Sequence, residues 1–393
     1  MKKRILIVNN HLRTGGAENS LISLLNQLDF SVYEVDLLLY HKNGSYIKRL
    51  PKQVNIIDSN IDEEYFLPFF ESLSKSLKSR KFKCIILKIY SNFATKIQKR
   101  NFDQVNAIVM LKLSKWHSNE RYDVAIAYKH IFSNFIINKI KAKRKIAYVH
   151  SDYISMGLQP KYDRSFLNKL NKIATVSEGC RSSLLKTFPE LTHKVVLAPN
   201  IIAPSLIKKM SEEKFEIIDD YFEGIKLLTV ARLDRIKGID LAIESCSMLK
   251  KTGINFRWYI IGGGDQIPYK EKIKELGLTD IFIFLGEKVN PYPYIKEADI
   301  YVQPSRTEGK SIAIEEAKVL CKPIVVTNYP TVTDQIQDCY NGVIVPISSD
   351  GVYEGIKKMI KQPDLKWELS NNLAEERVGN EEDIQIFYRM IMG

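Results

Sequence analysis

The chain has 393 residues, of which 45% are hydrophobic and 26% charged, so it has the composition of an ordinary globular protein and exceeds the usual size of one domain. No run of about 18 apolar residues occurs, which predicts no transmembrane helix. The five cysteines are widely spaced and form no C-x-x-C pair. This pattern argues against a disulfide scaffold and a zinc site, and it predicts reduced thiols in the cytoplasm.

The net charge of +12 is unevenly distributed along the chain. Residues 1–200 carry 33 Lys and Arg against 16 Asp and Glu, whereas residues 201–393 carry 25 against 30. Residues 72–102 hold nine basic residues and no acidic one, and residues 139–145 add a second basic cluster. Nucleic acid and an anionic membrane are both candidate partners for such a surface. A basic surface that only keeps the protein soluble is the simpler alternative.

Short apolar runs rich in β-branched residues alternate with helical patterns, which predicts a parallel α/β architecture. The N-terminus has only four apolar residues after its basic start, too few for a secretory signal, so they are predicted to form the first strand. The predicted strands are 5–8, 35–40, 123–128, 145–150, 173–176 and 195–198, then 226–231, 258–261, 281–285, 300–303, 323–327 and 343–345. Each half is therefore expected to form its own doubly wound, Rossmann-like sheet.

The expected domain boundaries follow from a mixed-charge stretch that contains Pro204 and ends at Gly224, just before a strand. We expect an N-terminal acceptor-side domain over residues 1–202 and a linker over 203–224. A nucleotide-sugar-binding domain is expected over 225–375, and residues 376–393 are expected to form a helix that crosses back to the first domain. Because such sheets bind ligands at the carboxyl ends of their strands, a ligand between the two domains is expected.

The most informative motif is the segment 304–317, Pro-Ser-Arg-Thr-Glu-Gly-Lys-Ser-Ile-Ala-Ile-Glu-Glu-Ala, which follows a buried strand and runs into a helix. The backbone N–H groups of residues 310–312 would lie at the helix N-terminus, where an anion is favoured. Glu308 lies in the loop and Glu316 about two turns further on. One carboxylate could reach sugar hydroxyls and the other ribose hydroxyls. The alternative is that acidic residues lie here only to complement the helix dipole.

Three further segments support a ligand site. Arg232 and Lys237 follow a strand at a spacing that lets two cations converge on a diphosphate and stabilise a departing nucleotide. Three consecutive glycines, 262–264, follow another strand, although any tight turn could use them. The segment 14–18, Thr-Gly-Gly-Ala-Glu, follows the first strand and could present bare backbone amides to phosphates or to the reacting centre.

These four segments together resemble the family 4 retaining glycosyltransferases of the GT-B fold, in order and spacing along nearly the whole chain. The E-x7-E element formed by Glu308 and Glu316 is the most specific part of the resemblance. The resemblance implies two Rossmann-like domains that face a central cleft. It also implies transfer with retention of the donor sugar's anomeric configuration.

The resemblance further implies roles for individual residues. Arg232 and Lys237 should hold the donor pyrophosphate, Glu308 the sugar hydroxyls and Glu316 the ribose. His150, at a strand end, should lie near the transferred sugar, although a lone histidine is more often structural. The implied catalytic residues are Glu308, His150, Arg232 and Lys237. The implied donor-binding residues are Gly15, Gly16, Arg232, Lys237, Gly262, Gly263, Gly309, Lys310, Ser311, Ile312 and Glu316. Asn200 resembles a turn residue of the family and is expected to act as a hinge.

The chain departs from the family at Lys310-Ser311, where many members have Phe followed by Gly or Ser. Lys310 could pair with Glu308, contact the phosphates or select an anionic donor sugar. No carboxylate is clearly placed as the nucleophile that retaining hydrolases use. The family therefore implies same-face attack assisted by the leaving phosphate. No Asp-x-Asp triplet occurs, so no metal or other cofactor is expected.

The expected function is transfer of a sugar from a UDP-sugar, or alternatively a GDP-sugar, to a glycan or lipid-linked glycan in bacterial surface polysaccharide synthesis. A basic patch of Lys75, Lys78, Arg80, Lys81 and Lys83, with the aromatic residues at 65, 66, 69 and 70 beside it, is expected to dock on an anionic membrane. The protein would then be cytoplasmic and peripheral on the inner face of the cell membrane. The alternatives are a nucleotide-sugar epimerase of the same fold and a non-catalytic binding protein. Nucleic acid is not an expected partner, because no recognition module is present.

Overall fold

The computed structural model describes residues 2–13, 15–42, 44–59, 61–116, 120–214, 222–376 and 378–392. Thr14 of the first glycine-containing segment and residues 215–221 of the predicted linker lie outside the described residues. The chain divides into two compact units by its internal contacts. The first unit comprises Met1–Leu12, Leu25–Pro199 and Gln385–Gly393, and the second comprises Arg13–Leu24 and Asn200–Ile384. This division does not follow chain order, and the domain boundaries expected from the sequence stay a prediction.

Strands and helices alternate through the first 200 residues. They are β1 (Lys3–Asn9), α1 (Gly16–Asn26), β2 (Tyr33–Leu39), β3 (Asn55–Asp58), α2 (Phe69–Lys78), α3 (Phe82–Lys96), α4 (Phe102–Leu113), β4 (Arg121–Ala127), α5 (Ser133–Lys139), β5 (Lys141–Val149), α6 (Pro160–Leu167), β6 (Lys172–Thr175), α7 (Glu178–Thr187) and β7 (Val195–Leu197).

The alternation continues to the C-terminus. The elements are α8 (Pro204–Ser211), β8 (Ile225–Val230), α9 (Ile239–Lys250), β9 (Phe256–Ile261), α10 (Ile267–Glu275), β10 (Phe282–Gly286), α11 (Tyr292–Glu297), β11 (Ile300–Gln303), α12 (Ile312–Val319), β12 (Ile324–Thr327), β13 (Val343–Val345), α13 (Ser349–Lys361), α14 (Pro363–Glu375) and α15 (Ile384–Met392).

Each unit contains one parallel sheet. The described strands of the first unit are ordered β3-β2-β1-β4-β5-β6-β7, and those of the second β10-β9-β8-β11-β12-β13. Both orders reverse direction after the central strand, between β1 and β4 and between β8 and β11, as in Rossmann folds. The predicted pair of doubly wound α/β sheets is confirmed, and all twelve predicted strands are present. One strand, β3, was not predicted.

The sheet of the second unit is covered on both faces, which explains its continuous apolar strands. Leu227 of β8 packs in a cluster with residues of α9 and α13, while its neighbour Leu228 packs with residues of α11 and α12 on the opposite face. Adjacent residues of a strand point to opposite faces, so both must be apolar when both faces are covered. Full burial of one such side chain contributes roughly 1.5–3 kcal/mol.

The C-terminal helix α15 packs within the first unit. The ring of Tyr388 stacks on that of Tyr33 in β2 at a centroid distance of 5.3 Å. The backbone N–H of Asp29 donates to the Tyr388 hydroxyl at 3.0 Å. Among the described helices, none is both long enough and apolar enough to cross a bilayer.

Candidate functional site

The predicted site residues of the second unit follow strands β8, β9 and β11. Arg232 follows β8, Gly262 follows β9, and Glu308 follows β11. In the sheet β8 lies between β9 and β11, so the three carboxyl ends meet at the point where the strand order reverses. This position is where open parallel sheets bind their ligands.

A close ion pair lies at the centre of this edge. Lys237 Nζ is 2.6 Å from Glu308 Oε2, and the side chains are 21% and 8% exposed. The other carboxylate oxygen, Oε1, accepts hydrogen bonds from Ser305 Oγ at 2.7 Å and Gln303 Nε2 at 3.1 Å. The carboxylate is thus held by one cation and two neutral donors, which sets its orientation.

The turn that carries Lys237 is shaped by its own residues. Asp234 accepts the backbone N–H of Lys237 on Oδ1 at 3.2 Å, capping a single 3-10 turn over Arg235–Lys237. Gly238 follows with a φ of 68°, and a Cβ there would lie 1.9 Å from the carbonyl oxygen of Pro304. Only glycine lets the turn approach the loop after β11 this closely.

A second ion pair joins the same two loops. The Arg306 guanidinium donates from Nη1 and Nη2 to the two carboxylate oxygens of Asp240, both at 2.7 Å. Arg306 Nη1 also donates to the Arg235 carbonyl oxygen at 2.8 Å. Burial raises the pKa of the Asp240 carboxyl, but the hydrogen bonds and the charge of Arg306, together with backbone hydrogen bonds, outweigh burial and leave that pKa below its ordinary value. Sequence reasoning missed this pair.

Arg232 lies on the solvent side of the site. Its side chain is 60% exposed, and Nη2 lies 3.2 Å from Asp234 Oδ2. Asp234 therefore contacts both predicted phosphate-binding residues, since its other oxygen caps the turn that carries Lys237. An exposed guanidinium and a half-buried lysine, which share Asp234 as a partner, thus supply two positive charges to the site.

The N-terminus of α12 is partly occupied by the protein itself. The backbone N–H of Ser311 donates to Gln335 Oε1 at 2.6 Å. Gln335 Nε2 in turn donates to the Ser311 carbonyl at 2.8 Å and to Glu315 Oε1 at 2.9 Å. The Ser311 amide predicted to bind an anion is therefore already hydrogen-bonded, and Gln335 is a residue that sequence reasoning missed.

Lys310 does not pair with Glu308 as one reading of the sequence expected. Its Nζ lies 3.6 Å from Glu315 Oε1, and its side chain is 20% exposed. The lysine partner of Glu308 is Lys237 instead. Glu315 was not among the predicted site residues, although it lies one residue before Glu316.

Glu316 is buried on α12 and accepts two hydrogen bonds on the same oxygen. Asn19 Nδ2 donates to Oε1 at 2.6 Å, and the Tyr292 hydroxyl donates to it at 2.9 Å. Asn19 belongs to α1 but is grouped by its contacts with the second unit. It directly follows the predicted segment 14–18, whose spacing gave no sign of this long-range contact.

The glycine positions differ in how closely the backbone is packed. A Cβ on Gly262 would lie 1.9 Å from the Ala231 carbonyl oxygen, so the turn after β9 packs directly against the loop after β8. Gly263 lies in the same turn, and Gly309 lies between Glu308 and Lys310. Gly16 begins α1, preceded by Gly15, and a Cβ on Gly16 would meet no atom within 4 Å. The open space beside Gly16 suits the approach of a ligand.

His150 follows β5 in the first unit. Its ring centroid lies 4.7 Å from that of Tyr128 and 5.6 Å from that of Tyr148, which is nearly parallel to it. These contacts fix the plane of the imidazole at the carboxyl end of the first sheet. Its expected role near the transferred sugar stays a prediction.

The described residues contain no group of three or more His, Cys, Asp or Glu placed to hold a metal ion. Among the cations of the candidate site, Arg232 and Lys237 are the two predicted to contact a diphosphate.

Two lysines of the predicted membrane patch have acidic partners. Lys81 Nζ lies 2.7 Å from Glu64 Oε2 and 3.0 Å from Asp62 Oδ1, and Lys75 Nζ lies 2.9 Å from Glu71 Oε1. Lys78, Arg80 and Lys83 are exposed. Tyr65, one of the aromatic residues expected beside the patch, is only 4% exposed and cannot insert into a membrane, whereas Phe70 is 83% exposed.

Helix α3 carries apolar residues on two faces. Cys84, Leu87 and Ala94 are buried in the core. A second row, hereafter the α3 stripe, is exposed at helical spacing and consists of Phe82 (60%), Ile86 (66%), Ile89 (50%), Phe93 (46%) and Ile97 (68%). Beside it lies a groove of about 610 Å³, lined by Lys83, Ile86, Leu87, Leu111, Lys112, Asn138 and Lys139. An exposed apolar row of this length is unusual on a monomeric soluble protein and indicates an interaction surface.

Comparison with known proteins finds similarity to a known family over most of the second unit. The model of the family "Glycosyl transferases group 1" matches residues 210–376. The chain is 30% identical over 190 residues to the amylovoran biosynthesis glycosyltransferase AmsK of Erwinia amylovora. That match covers 46% of this chain and 47% of AmsK, so the chain aligns with about half the length of this relative.

Another relative matches nearly end to end. An N-acetylgalactosamine-N,N'-diacetylbacillosaminyl-diphospho-undecaprenol 4-alpha-N-acetylgalactosaminyltransferase of Campylobacter jejuni is 25% identical over 367 residues, which cover 92% of this chain and 91% of that protein. Among solved structures, Anabaena Alr3699/HepE in complex with UDP-glucose superposes with a TM-score of 0.69 at 14% identity, over 99% of each chain. Together with the two doubly wound sheets, these comparisons show that the chain has the GT-B fold.

Proposed function

We propose that this protein is a retaining, metal-independent glycosyltransferase of family 4. It transfers a sugar from a UDP-sugar, with a GDP-sugar as the alternative, to a glycan or lipid-linked glycan in bacterial surface polysaccharide synthesis. The observation that carries the proposal is the meeting of Lys237, Glu308 and Arg232 at the carboxyl ends of β8 and β11. Two cations and a buried, oriented carboxylate are the groups needed to hold a diphosphate and an adjoining sugar.

The donor diphosphate binds between Arg232 and Lys237 in this proposal. Lys237 now contacts Glu308, so a bound phosphate shares the ammonium group with that carboxylate. An ammonium group has three N–H donors and can serve both partners. Glu308 then accepts hydrogen bonds from the donor sugar's hydroxyls, and Glu316 from the ribose.

The transfer step follows from these positions. The acceptor hydroxyl forms a bond to C1 of the sugar on the face from which the diphosphate departs, and the bond between C1 and the phosphate oxygen breaks. The hydroxyl proton passes to the departing diphosphate oxygen. Arg232 and Lys237 stabilise the negative charge that grows on that group, the role a metal ion has in other enzymes.

A lipid-linked acceptor and an anionic membrane surface are supported by the first unit. The α3 stripe offers apolar side chains, and the exposed cations Lys78, Arg80 and Lys83 lie close to its start in sequence. The Campylobacter jejuni relative acts on a diphospho-undecaprenol-linked substrate according to its name. We therefore assign the protein to the inner face of the cell membrane as a peripheral protein.

The test is incubation of the purified chain with UDP-glucose, UDP-N-acetylglucosamine, UDP-galactose, UDP-N-acetylgalactosamine and GDP-mannose, each with and without EDTA. We expect one of these donors to bind and to be hydrolysed slowly, releasing the nucleoside diphosphate at the same rate in EDTA. Loss of this activity in EDTA with recovery on adding Mg²⁺ would show a metal requirement.

The same incubation separates the alternative functions. An epimerase converts the donor to its isomer without releasing nucleoside diphosphate, and a binding protein does neither. With an acceptor in hand, NMR of the product should show the anomeric configuration of the donor. An inverted configuration contradicts assignment to the retaining family.

A further inference from the structure

The geometry points to Asn19 as a positioning residue that orients Glu316 for the donor ribose. Asn19 is distant from Glu316 in sequence by 297 residues, yet the two side chains meet in the second unit at 2.6 Å. Both residues are almost completely buried, at 5% and 4% exposure. The inference rests on the proposed function, because it assigns Glu316 to the ribose of a nucleotide donor.

The two hydrogen bonds on Glu316 act on one oxygen. Asn19 and Tyr292 both donate to Oε1, from α1 and from α11. Two donors that approach one oxygen from different elements restrict rotation of the carboxylate about its last bond. The direction of the second oxygen is then set as well, and a hydrogen bond to a charged group is stronger than one between neutral groups.

The residue after Asn19 anchors the same helical turn. Ser20 Oγ donates to Asn200 Oδ1 at 2.6 Å, and both residues are buried. Asn200 is itself held in place, because its backbone carbonyl accepts a hydrogen bond from Asn380 Nδ2 at 3.0 Å. Adjacent side chains of α1 thus include different partners among their contacts: Asn19 contacts the carboxylate, and Ser20 contacts the segment that opens the second unit.

The start of α1 therefore contributes a side chain, that of Asn19, to the second unit as well as its glycines. The chain brings residues 13–24 into the second unit, where Asn19 contacts a carboxylate that the nucleotide needs. A positioning residue of this kind should affect how strongly the protein distinguishes ribose from deoxyribose. A residue that only stabilises the fold would change both affinities equally.

The experiment measures the binding of UDP, 2′-deoxy-UDP and 3′-deoxy-UDP by calorimetry to the full-length wild-type protein and to Asn19→Ala. We expect Asn19→Ala to bind UDP about tenfold more weakly, as for loss of a charge-assisted hydrogen bond. Its affinity for the deoxynucleotide that the wild type discriminates against should change less than about twofold. The preference of Asn19→Ala for UDP over the deoxynucleotide should therefore fall towards the preference of Glu316→Gln, a variant that lacks the carboxylate itself.

Three further variants separate the loss of the hydrogen bond from a general loss of stability. Asn19→Leu keeps nearly the size of the side chain but has no donor and no charge, so it should lose the ribose preference even if the cavity left by Asn19→Ala impairs folding. Tyr292→Phe removes the other donor and should act in the same direction. Ser20→Ala, on the neighbouring residue, should lower the melting temperature without changing the ribose preference.

Each outcome is decisive for one of the two proposals. If the wild type binds neither UDP nor GDP, the proposed function is wrong. If the wild type prefers ribose and Asn19→Ala and Asn19→Leu keep that preference, or bind UDP more tightly, only the role of Asn19 is wrong. Nucleotide binding by the wild type without any ribose preference overturns the role of Glu316 and the inference with it.

Discussion

Lys237 and Glu308 are the pair of residues on which the candidate site depends. The Glu308 side chain is only 8% exposed, so its charge needs a partner inside the protein. Removing one member of a buried pair leaves an uncompensated charge and is strongly destabilising, whereas an exposed pair contributes little. The pair therefore stabilises this part of the protein and, in the proposed function, presents a cation to the donor phosphate.

This dependence predicts the behaviour of Lys237→Ala. We expect the free energy of unfolding to fall by about 2 kcal/mol, less than for a fully buried pair because Lys237 is 21% exposed. Affinity for UDP should also fall by about 2 kcal/mol. In the double variant with Glu308→Gln, part of the stability should return, since the unpaired charge is gone, while the UDP affinity should not. Chemical denaturation and calorimetry measure the two quantities.

The matched control is Lys296→Ala. Lys296 Nζ lies 2.7 Å from Glu212 Oε2, nearly the same distance, but the side chains are 42% and 69% exposed. Its loss should cost less than about 1 kcal/mol and leave UDP affinity unchanged. Equal effects of the two lysine substitutions on stability and affinity would remove Lys237 from the site.

At the scale of elements, the site depends on the turn between β8 and α9. Asp234 caps this turn, and Arg306 joins it to the loop after β11. Because Gly238 has no side chain, the turn can also pack directly against Pro304. These contacts place Lys237 opposite Glu308. A change that displaces the turn should therefore abolish nucleotide binding without altering any charged residue.

Gly238→Ala should show this effect. The substitution forces a φ of 68° on a residue with a Cβ and places that carbon 1.9 Å from the Pro304 carbonyl. We expect a loss of roughly 3 kcal/mol or more in the free energy of unfolding, together with loss of UDP binding. Gly253→Ala is the control: its φ is 75°, but a Cβ there meets nothing within 4 Å. It should cost about 1–2 kcal/mol and spare binding. Similar losses in both variants would mean that backbone strain alone accounts for the effect.

The sequence predicted the central strands because their side chains are buried on both faces and form unbroken apolar runs. It missed β3 because this edge strand, Asn55–Asp58, has an exposed residue followed by three half-buried ones and so lacks that pattern. For the candidate site, spacing along the chain pointed to Arg232, Lys237, Glu308 and Glu316, whose roles stay predictions. It could not reveal Asn19, Gln335 or the Arg306–Asp240 pair, since their contacts join segments distant in sequence and depend on side-chain direction.

At the scale of the whole molecule, charge and exposed apolar surface concentrate on the same part of the chain. The excess of basic residues lies in residues 1–200, and the α3 stripe lies within residues 72–102, which have no acidic residue. Each Lys or Arg near an anionic membrane contributes about 1 kcal/mol, and this attraction is screened by salt. Insertion of apolar side chains adds a contribution that salt does not weaken.

These two contributions can be separated by liposome sedimentation. Wild-type binding should rise with the fraction of phosphatidylglycerol in the vesicles and fall, without vanishing, between roughly 0.1 and 0.5 M NaCl. Changing Lys78, Arg80 and Lys83 to Gln should remove the part that salt weakens. Changing Phe82, Ile86 and Phe93 to Ser should remove the part that persists at high salt. Lys75 and Lys81 are left in place, because replacing them would also break their ion pairs with Glu71 and Glu64.

The control for the apolar variant lies in the second unit. Ile267 and Trp367 are 69% and 68% exposed, as much as the residues of the α3 stripe, but lie outside it. Their replacement by Ser should leave vesicle binding unchanged, because isolated exposed apolar residues are common and do not form a surface. Membrane docking through α3 is contradicted if the wild type does not sediment with anionic vesicles. It is also contradicted if the variant with Phe82, Ile86 and Phe93 changed to Ser binds these vesicles as the wild type does at both salt concentrations. In either case the acceptor need not be lipid-linked, and the α3 stripe would have to contact something other than a bilayer.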